Sequence, residues 1–398
     1  MGSLEKKNLM LIVPMLHQGG FERVCVKTAR LLQDVYNVHI LLFTKKDIHY
    51  DVSGLDVIDI DVPAKDGRIN KAVNLLKRIG KVRKIKKDLH IDYAYSFGSS
   101  ANYVNSLSGV GEVLLTGLRG QIDLENSSQI KLFTKKSTCV LSCSKDIVKQ
   151  LSDNFGYDRS LCIYNPVDIT DLENKANEPV TDYPFKEENV QVISCMGRDD
   201  YQKGTWHLVK AFYLAQKNND RLRLMILGDG SWDNYKKLVE AYGIADKVAF
   251  MGAKPNPFPY VKASDLYVCP SNHEGFPNAV LEAMALKKPV ISTDCKTGPR
   301  EILLSDKEYK SLSDKQGLAS ITEPVYGDYG ILVPNVDEVE NFDPDFITKE
   351  EEMLSKEIES IMADEEALSD YADKAYERAG LFSPEQYKEN LIRIFESL

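Results

Sequence analysis

The sequence predicts an α/β protein of two domains, each a doubly wound parallel sheet covered by helices. Short apolar runs of strand length alternate with segments of helical periodicity along most of the chain, which is typical of parallel sheets. The alternation stops at a polar, acidic stretch after Asp168 and then restarts. A chain of 398 residues that is 43% hydrophobic is too long for one ordinary core and sufficient for two.

The first domain opens with a strand, a loop and a helix. Residues 9–13 form a continuous apolar run, a loop ending at Gly19-Gly20 follows, and apolar residues then recur at helical spacing as far as Val35. Three further strands are expected, at residues 38–43, 57–62 and 93–97. The last of them precedes a Gly-Ser loop and another segment of helical character.

Residues 169–188, polar and acidic with two prolines, are the predicted linker. Because the alternation restarts beyond them, the second domain is predicted to be a second doubly wound sheet. Its strands are expected at residues 190–195, 222–227, 247–250, 266–269, 289–292 and 330–333. We assign residues 1–170 to the first domain and 171–380 to the second, with a last helix at about 381–398 as a candidate to return to the first.

Residues 304–329 lie between a predicted helix and a predicted strand, and their polar sequence predicts a long irregular loop. Loops of that length inside a domain are usually functional or mobile. A surface insertion without a function is the alternative.

Composition argues against several classes of protein. The 60 acidic and 50 basic residues give a formal charge of −10, which disfavours general nucleic-acid binding. Seven scattered cysteines, without a CxxC pair or clustered histidines, predict reduced thiols and no metal site. No apolar stretch approaches the length of a membrane span and the start of the chain carries no export signal, so the expected location is the cytoplasm.

Residues 274–282 predict an active site at the start of a helix. An apolar strand at 266–269 precedes them, and the apolar residues after Pro277 have helical spacing. Pro277 suits the first helical position, so free backbone N–H groups and the positive end of the helix dipole would face the loop and hold a phosphate. Glu274 would lie beside that anion and Glu282 would accept from hydroxyl groups, as a sugar nucleotide requires. The alternative is a plain strand-to-helix corner, with Glu274 capping backbone N–H groups and Glu282 solvated.

Two cations, Arg198 and Lys203, follow the first strand of the second domain. Because the loops after parallel strands converge at the carboxyl edge of a sheet, both should meet Glu274 in one cleft. There they would neutralise a diphosphate, most strongly as it becomes a leaving group. The alternative is that they pair with Asp199 and Asp200.

Two glycine-containing loops carry weaker signals. Gly228-Asp229-Gly230 follows the next strand and is suited to lending N–H groups or fitting around a nucleoside. It lacks the third glycine of a dinucleotide fingerprint, which disfavours a hydride-transfer enzyme. Gly19 and Gly20 would let the backbone approach a ligand at the first sheet, and a tight turn without a ligand is the alternative.

A further loop, residues 293–301, contains another Gly-Pro helix start. Its N–H groups are suited to a sugar hydroxyl or a phosphate. By default, Asp294 and Glu301 are expected there as caps or surface charges.

Together these motifs resemble glycosyltransferase family 4, of the GT-B fold. The similarity runs from the first strand to the final helix and is greatest to the bacterial branch that builds lipopolysaccharide and capsule. It is carried by Gly19-Gly20-Phe-Glu-Arg23, Tyr164-Asn-Pro-Val-Asp168, Gly197-Arg198 with Lys203-Gly204, Gly228-Asp-Gly230, Glu274 with Glu282, Gly298-Pro-Arg-Glu301 and Tyr329-Gly-Ile-Leu-Val-Pro334.

The resemblance implies two facing Rossmann-like domains with a cleft between them, a nucleotide sugar held mainly by the second and an acceptor by the first. It also implies retention of anomeric configuration without a metal, and no other cofactor is predicted. By position, Arg198 and Lys203 would bind the diphosphate, Glu274 the donor sugar and Glu282 the ribose. The other implied binding residues are Phe276, Pro277 and Asn278 for phosphate and sugar, and Met251 and Gly252 for the base.

The predicted function is therefore transfer of a hexose or N-acetylhexosamine from a nucleotide sugar, a UDP-sugar being favoured, to a lipid-linked saccharide in bacterial surface polysaccharide synthesis. The lack of a convincing Asp-X-Asp metal site agrees with charge neutralisation by Arg198, Lys203 and a helix dipole. Two other classes stay open. One is a sugar-nucleotide epimerase or phosphorylase of related fold, and the other is a non-catalytic partner subunit of a transferase.

A basic segment at residues 70–88 stands out in this acidic chain, with eight Lys or Arg residues and a single acid. It predicts an amphipathic helix. Lys77, Arg78, Lys81 and Lys84 are predicted to attach the protein to the anionic inner face of the cell membrane. The alternative is a helix that packs on the sheet with its charges solvated. The apolar residues at helical spacing are Ala72, Leu75, Leu76, Ile79, Val82, Ile85 and Leu89.

Overall fold

A computed structural model of the chain describes residues 6–17, 19–336 and 339–398. The first five residues, where no export signal is predicted, lie outside the described part, as does Gln18 of the first loop. The contacts divide the chain into two units, one reaching Pro166 and including Pro384–Leu398, the other Val167–Ser383. The predicted division is at 170/171. The chain joins the second unit earlier, since the Val167 N–H donates to the Phe382 carbonyl at 2.8 Å.

The first unit contains a seven-stranded parallel sheet of order β3-β2-β1-β4-β5-β6-β7. Its central strand is apolar and buried on both faces, as parallel strands under helices require. The chain reverses direction across the sheet between β1 and β4, which is where ligands bind in such folds. The strands are β1 Asn8–Val13, β2 Asn37–Leu42, β3 Asp56–Asp59, β4 Tyr93–Phe97, β5 Val113–Leu118, β6 Cys139–Ser142 and β7 Ser160–Cys162.

Helices cover both faces of this sheet. The last helix of the chain belongs to this unit, where the Tyr387 hydroxyl lies 2.7 Å from that of Thr28 and Lys388 pairs with Asp34. The helices are α1 Gly20–Leu32, α2 Arg68–Asp88, α3 Ser99–Leu107, α4 Ser127–Lys136, α5 Lys145–Phe155 and α15 Pro384–Ser397.

Helix α2 forms where the basic segment predicts a helix, but only part of the predicted apolar side is buried. Val82 is fully buried, whereas Ala72 and Leu76 are exposed rather than packed on the sheet. The inward face is completed by polar groups, because Asn74 is buried and Lys86 pairs with Glu112 inside the unit. The pattern of apolar residues alone could not show that a lysine would occupy the inner face.

The second unit contains another seven-stranded sheet, of order β10-β9-β8-β11-β12-β14-β13. All pairings are parallel except that of β13 with β14. The chain reverses direction across the sheet between β8 and β11. The strands are β8 Gln191–Met196, β9 Leu222–Leu227, β10 Val248–Phe250, β11 Leu266–Cys269, β12 Val290–Thr293, β13 Val325–Gly327 and β14 Gly330–Val333.

The helices of this unit pack around an apolar core that extends from β8 to α13. Helix α10 is apolar and buried over most of its length, which marks it as an interior element. The helices are α6 Ile169–Ala176, α7 Thr205–Asn218, α8 Asp233–Ala241, α9 Phe258–Lys262, α10 Asn278–Ala285, α11 Pro299–Leu303, α12 Asp306–Gln316, α13 Lys349–Met362 and α14 Glu365–Gly380.

Two stretches expected to lack regular structure contain helices. In the predicted linker, the Asp168 side chain caps α6, and buried Leu172 and Ala176 anchor it. In the predicted loop 304–329, Ser305 and Glu308 form a capping box that starts α12. No residue of α12 is buried, so it has no apolar periodicity by which the sequence could have revealed it.

The predicted fold class is confirmed as two doubly wound α/β sheets. The strands predicted individually lie within three residues of their predicted positions, while β5, β6, β7 and β13 were not predicted individually. Across the described part of the chain, no helix combines the length and apolar character needed to span a bilayer.

Candidate active site

The carboxyl edge of the second sheet gathers the loops that follow β8, β9, β10, β11 and β12. This convergence follows from parallel strands joined by helices, which return each chain segment to the same edge. Every predicted site residue of the second unit except Glu282 lies in one of these loops or at the first residue of α10.

Lys203 and Glu274 form an ion pair at this edge, with Nζ 2.7 Å from Oε1. The two side chains are 25% and 11% exposed. Gly204 lets the segment after Lys203 lie against Pro270 of the loop that carries Glu274. It adopts φ +56°, and a Cβ there would lie 2.2 Å from the Pro270 carbonyl oxygen. The loop carrying Lys203 therefore packs directly on the loop carrying Glu274, as the sequence predicts.

Ser271 is a site residue that the sequence did not reveal. Its hydroxyl donates to Oε1 of Glu274 at 2.7 Å, and its own carbonyl accepts from the Thr293 hydroxyl at 2.5 Å. Oε1 is thus held by Lys203 and Ser271, while none of the described residues donates a hydrogen bond to Oε2. The carboxylate binds side chains and does not cap backbone N–H groups, which disagrees with the plain-corner alternative.

The electrostatics of the site keep Lys203 charged. Burial opposes the ammonium of Lys203, but the nearby Glu274 carboxylate outweighs it and raises the pKa of Lys203 above its ordinary value. Burial also raises the pKa of the thiols of Cys195, Cys269 and Cys295. These thiols are neutral core groups and not nucleophiles.

Arg198 lies in the same loop but is more exposed, at 66% of its side chain. Its guanidinium lies 2.9 Å from the carboxylate of Asp200, so the alternative of local pairing is realised for Arg198 and not for Lys203. The Asp199 carboxylate instead accepts from the backbone N–H of Trp232 at 3.1 Å.

The Gly228-Asp229-Gly230 turn supports this cationic loop. A Cβ on Gly228 would lie 1.7 Å from the Gly197 carbonyl oxygen, so only glycine lets the two loops touch. The Asp229 carbonyl accepts from the Asp199 N–H at 2.8 Å. The Gly228 N–H donates to the Gly252 carbonyl at 3.0 Å, which also fixes the position of the loop at Met251 and Gly252.

The start of α10 adjoins Glu274. Phe276 and Pro277 are buried and Asn278 is the first helical residue. Pro277 therefore occupies the N-cap and not the predicted first helical position. The Thr297 hydroxyl donates to the Gly275 carbonyl at 2.9 Å, which ties this loop to the one after β12.

Glu282 lies in α10 and is only 8% exposed. This burial excludes the alternative of a solvated carboxylate. A buried carboxylate in an otherwise apolar helix is unusual and points to a specific use.

The expectation that Asp294 and Glu301 are surface charges is wrong. Both residues are buried, and two nitrogens of Arg300 contact the Asp294 carboxylate at 2.6 Å each. Arg300 also donates to the Gly317 carbonyl at 2.7 Å. Asp294 is thus half of an internal ion pair that fastens the segment after α12 to the sheet.

Gly19 and Gly20 lie at the carboxyl edge of the first sheet, where α1 begins at Gly20. The Tyr50 hydroxyl accepts from the Gly19 N–H at 2.9 Å and donates to the Gly19 carbonyl at 2.6 Å. The turn is therefore held from within its own unit. Its predicted contact with a ligand stays a prediction.

Residues 181–316, which contain all of these second-unit site residues, match the family described as glycosyl transferases group 1. The predicted family resemblance is thereby confirmed.

Two curated relatives extend the similarity. An uncharacterized glycosyltransferase of Methanocaldococcus jannaschii is 32% identical over 269 residues, which cover 64% of this chain and 63% of that relative. The Campylobacter jejuni N-acetylgalactosamine-N,N'-diacetylbacillosaminyl-diphospho-undecaprenol 4-alpha-N-acetylgalactosaminyltransferase is 27% identical over 319 residues, covering 76% of this chain and 84% of the enzyme.

Among solved structures, that of Anabaena HepE in complex with UDP and glucose matches with a TM-score of 0.70 at 17% identity. The match covers 98% of this chain and 100% of HepE. At this identity the likeness establishes the fold.

Proposed function

We propose that this protein is a retaining glycosyltransferase that moves a hexose or N-acetylhexosamine from a nucleotide sugar, a UDP-sugar in particular, to a lipid-linked saccharide. Its place would be the synthesis of bacterial surface polysaccharide. The observation that carries the proposal is the Lys203–Glu274 pair at the carboxyl edge of the second sheet, inside the segment that matches the transferase family.

The pair suits transfer because it sets a cation and a carboxylate side by side. Lys203 and Arg198 would bind the diphosphate, helped by the positive end of α10. Glu274, through Oε2, would contact the donor sugar and stabilise positive charge that develops on it. Glu282 would accept from the ribose hydroxyls.

Backbone groups would complete the donor site. Phe276, Pro277 and Asn278 would contact phosphate and sugar, and Met251 and Gly252 the base. Gly228 and Asp229 would hold the loop of Arg198 close to the nucleoside. On the first unit, Gly19 and Gly20 would approach the ligand through their backbone.

The reaction breaks the bond between the anomeric carbon and the diphosphate and forms one to the acceptor hydroxyl. The cations stabilise the departing diphosphate, and the acceptor hydroxyl approaches the same face of the sugar. Its proton passes to a departing phosphate oxygen. No protein nucleophile is required, so Glu274 acts by position and charge.

The acceptor and donor classes rest on the relatives. The Campylobacter enzyme is named for an acceptor linked through diphosphate to undecaprenol, and HepE is described with UDP and glucose. The second candidate function is an epimerase or phosphorylase. A non-catalytic subunit is disfavoured because this chain retains Arg198, Lys203 and Glu274.

The test is a screen of UDP-hexoses and UDP-N-acetylhexosamines with saccharide–diphosphate–lipid acceptors, followed by mass spectrometry. We expect one donor to add one sugar, with the α-configuration of the donor kept in the product by NMR. Conversion of the donor without an acceptor would instead indicate an epimerase.

Activity should persist in excess EDTA, since Lys203, Arg198 and α10 supply the positive charge. A loss that magnesium or manganese restores would contradict this part of the mechanism.

We also propose peripheral attachment to an anionic membrane surface through α2, at the inner face of the cell membrane. Of the four predicted cations, Lys77 is exposed and Lys84 is exposed beside Asp88, whereas Arg78 and Lys81 donate to the Val62 and Ile60 carbonyls. The outer face of α2 also presents an apolar row, with Ile69 81% and Leu76 70% exposed. Apolar residues flanked by lysines suit a lipid interface.

Sedimentation with anionic and neutral vesicles tests this attachment. Lys77→Ser with Lys84→Ser should weaken binding to anionic vesicles about fivefold for each charge removed. Ile69→Ser with Leu76→Ser should weaken the binding that remains at high salt. Lys236→Ser with Lys237→Ser, on α8 of the second unit, is the matched control. Equal binding to both vesicle types, or no loss in either α2 variant, would leave α2 an ordinary solvated helix.

A further inference from the structure

Arg119 follows β5 directly, at the carboxyl edge of the first sheet, and it is partly buried. Its guanidinium lies 4.8 Å from the centre of the Phe97 ring. Nη1 donates to the Asn165 side-chain oxygen at 3.0 Å, and Nη2 donates to the Tyr95 hydroxyl. The side chain is therefore held in one place by an aromatic ring and neutral groups.

No carboxylate of the described residues lies within 4.0 Å of this guanidinium. The nearby Asp123 carboxylate instead accepts from the backbone N–H of Arg119, at 2.7 Å. Burial raises the pKa of Tyr95 and of Tyr387, whose phenol also lies close to Arg119, so both phenols stay neutral. The Nε–H is buried and meets no acceptor among the described residues.

Three other buried cations in the described part of the chain are compensated. Lys86 pairs with Glu112, and Arg300 with Asp294. Arg378 has no carboxylate partner among the residues that the structure describes, but its nitrogens donate to three backbone carbonyls. Burying a charge is costly unless it is paired or fully hydrogen-bonded. Arg119 has neither form of compensation within the described residues.

We propose that Arg119 binds a phosphate group of a ligand at the edge of the first sheet. The inference rests on the proposed function, in which both the donor and the lipid-linked acceptor carry a diphosphate. A guanidinium presents N–H donors in a fixed fork that matches phosphate oxygens. Stacking on Phe97 orients this fork before the ligand arrives, so little side-chain entropy is lost on binding.

The experiment compares wild type with Arg119→Gln, Arg119→Lys and the control Arg159→Gln. Arg159 also lies near a tyrosine ring in this unit, 5.4 Å from Tyr157, but it precedes β7 at the opposite edge of the sheet. Three quantities are measured: the rise in Tm caused by inorganic pyrophosphate, the Kd for UDP, and the KM for two acceptors. One acceptor is a saccharide–diphosphate–lipid and the other is the same saccharide as a neutral alkyl glycoside.

Arg119→Gln should shrink the pyrophosphate-induced rise in Tm. It should also raise, by about 10- to 100-fold, either the KM for the diphosphate acceptor alone or the Kd for UDP. The first result assigns Arg119 to the acceptor and the second to the donor. Arg119→Lys should retain part of the effect, because it keeps the charge without the fork, and Arg159→Gln should retain wild-type values.

Wild-type values of all three quantities in Arg119→Gln would overturn the proposal. If Arg119→Gln does not fold, Arg119→Lys provides the test, because wild-type values of all three quantities in that variant would also overturn the proposal. The pyrophosphate measurement needs no turnover. A wild-type protein that transfers no sugar would therefore refute the proposed function while leaving this test of Arg119 intact.

Discussion

Replacement of Lys203 with alanine is expected to lower turnover about 10²- to 10³-fold at saturating donor, a typical cost for one group that stabilises a developing charge. Lys203 is the cation held against Glu274, and the leaving diphosphate would gain most of its negative charge in the transition state. Arg198→Ala should also lose most turnover, and comparing the two shows whether the more exposed cation contributes as much. Steady-state kinetics with a fixed acceptor measures both.

Part of any loss in Lys203→Ala could come from structure, because breaking a buried ion pair leaves a carboxylate uncompensated. The double variant Lys203→Met with Glu274→Gln removes this unpaired charge, so its Tm should recover while its turnover stays low. Lys288→Ala is a matched control, since Lys288 is partly buried and donates to the Ser264 carbonyl at 2.7 Å near the amino edge of the sheet. Near-native turnover in both Lys203→Ala and Arg198→Ala would rule out their role at the diphosphate.

Glu274→Gln is expected to reduce turnover about 10²-fold or more with little change in Tm. The amide oxygen can still accept from Lys203 and Ser271, so the packing survives. The change falls on the second oxygen, which receives no hydrogen bond from the described residues and would become an NH₂ group facing the sugar. Thermal melting and single-turnover transfer separate the effect on stability from the effect on chemistry.

Glu282→Ala supplies the contrast. Since Glu282 is assigned to the ribose, this variant should weaken UDP binding by about 10- to 100-fold and affect the chemical step less. Calorimetric titration with UDP measures the first effect. An unchanged Kd for UDP would remove the ribose assignment, and full turnover in Glu274→Gln would remove Glu274 from the donor sugar.

The sequence by itself determined the two sheets and the sheet edge at which the candidate site lies. Apolar runs of strand length alternating with helical segments leave little choice but parallel strands with helical crossovers, and these crossovers bring every following loop to one edge. Arg198, Lys203 and Glu274 could therefore be assigned to one site before any contact was known. The start of α10 could be placed to within one residue, because Pro277 ends the preceding loop.

The tertiary structure alone decided which partner each charged group takes. Lys203 pairs with a carboxylate 71 positions away and not with Asp200, and Ser271 joins them without any signal in the chain. Arg119 meets no carboxylate in the described part of the chain, while Lys86 on a basic helix turns inward to Glu112. Such pairings depend on the distances between loops and on burial, and both are fixed only when the helices pack on the sheet. The local periodicity of the sequence therefore does not predict them.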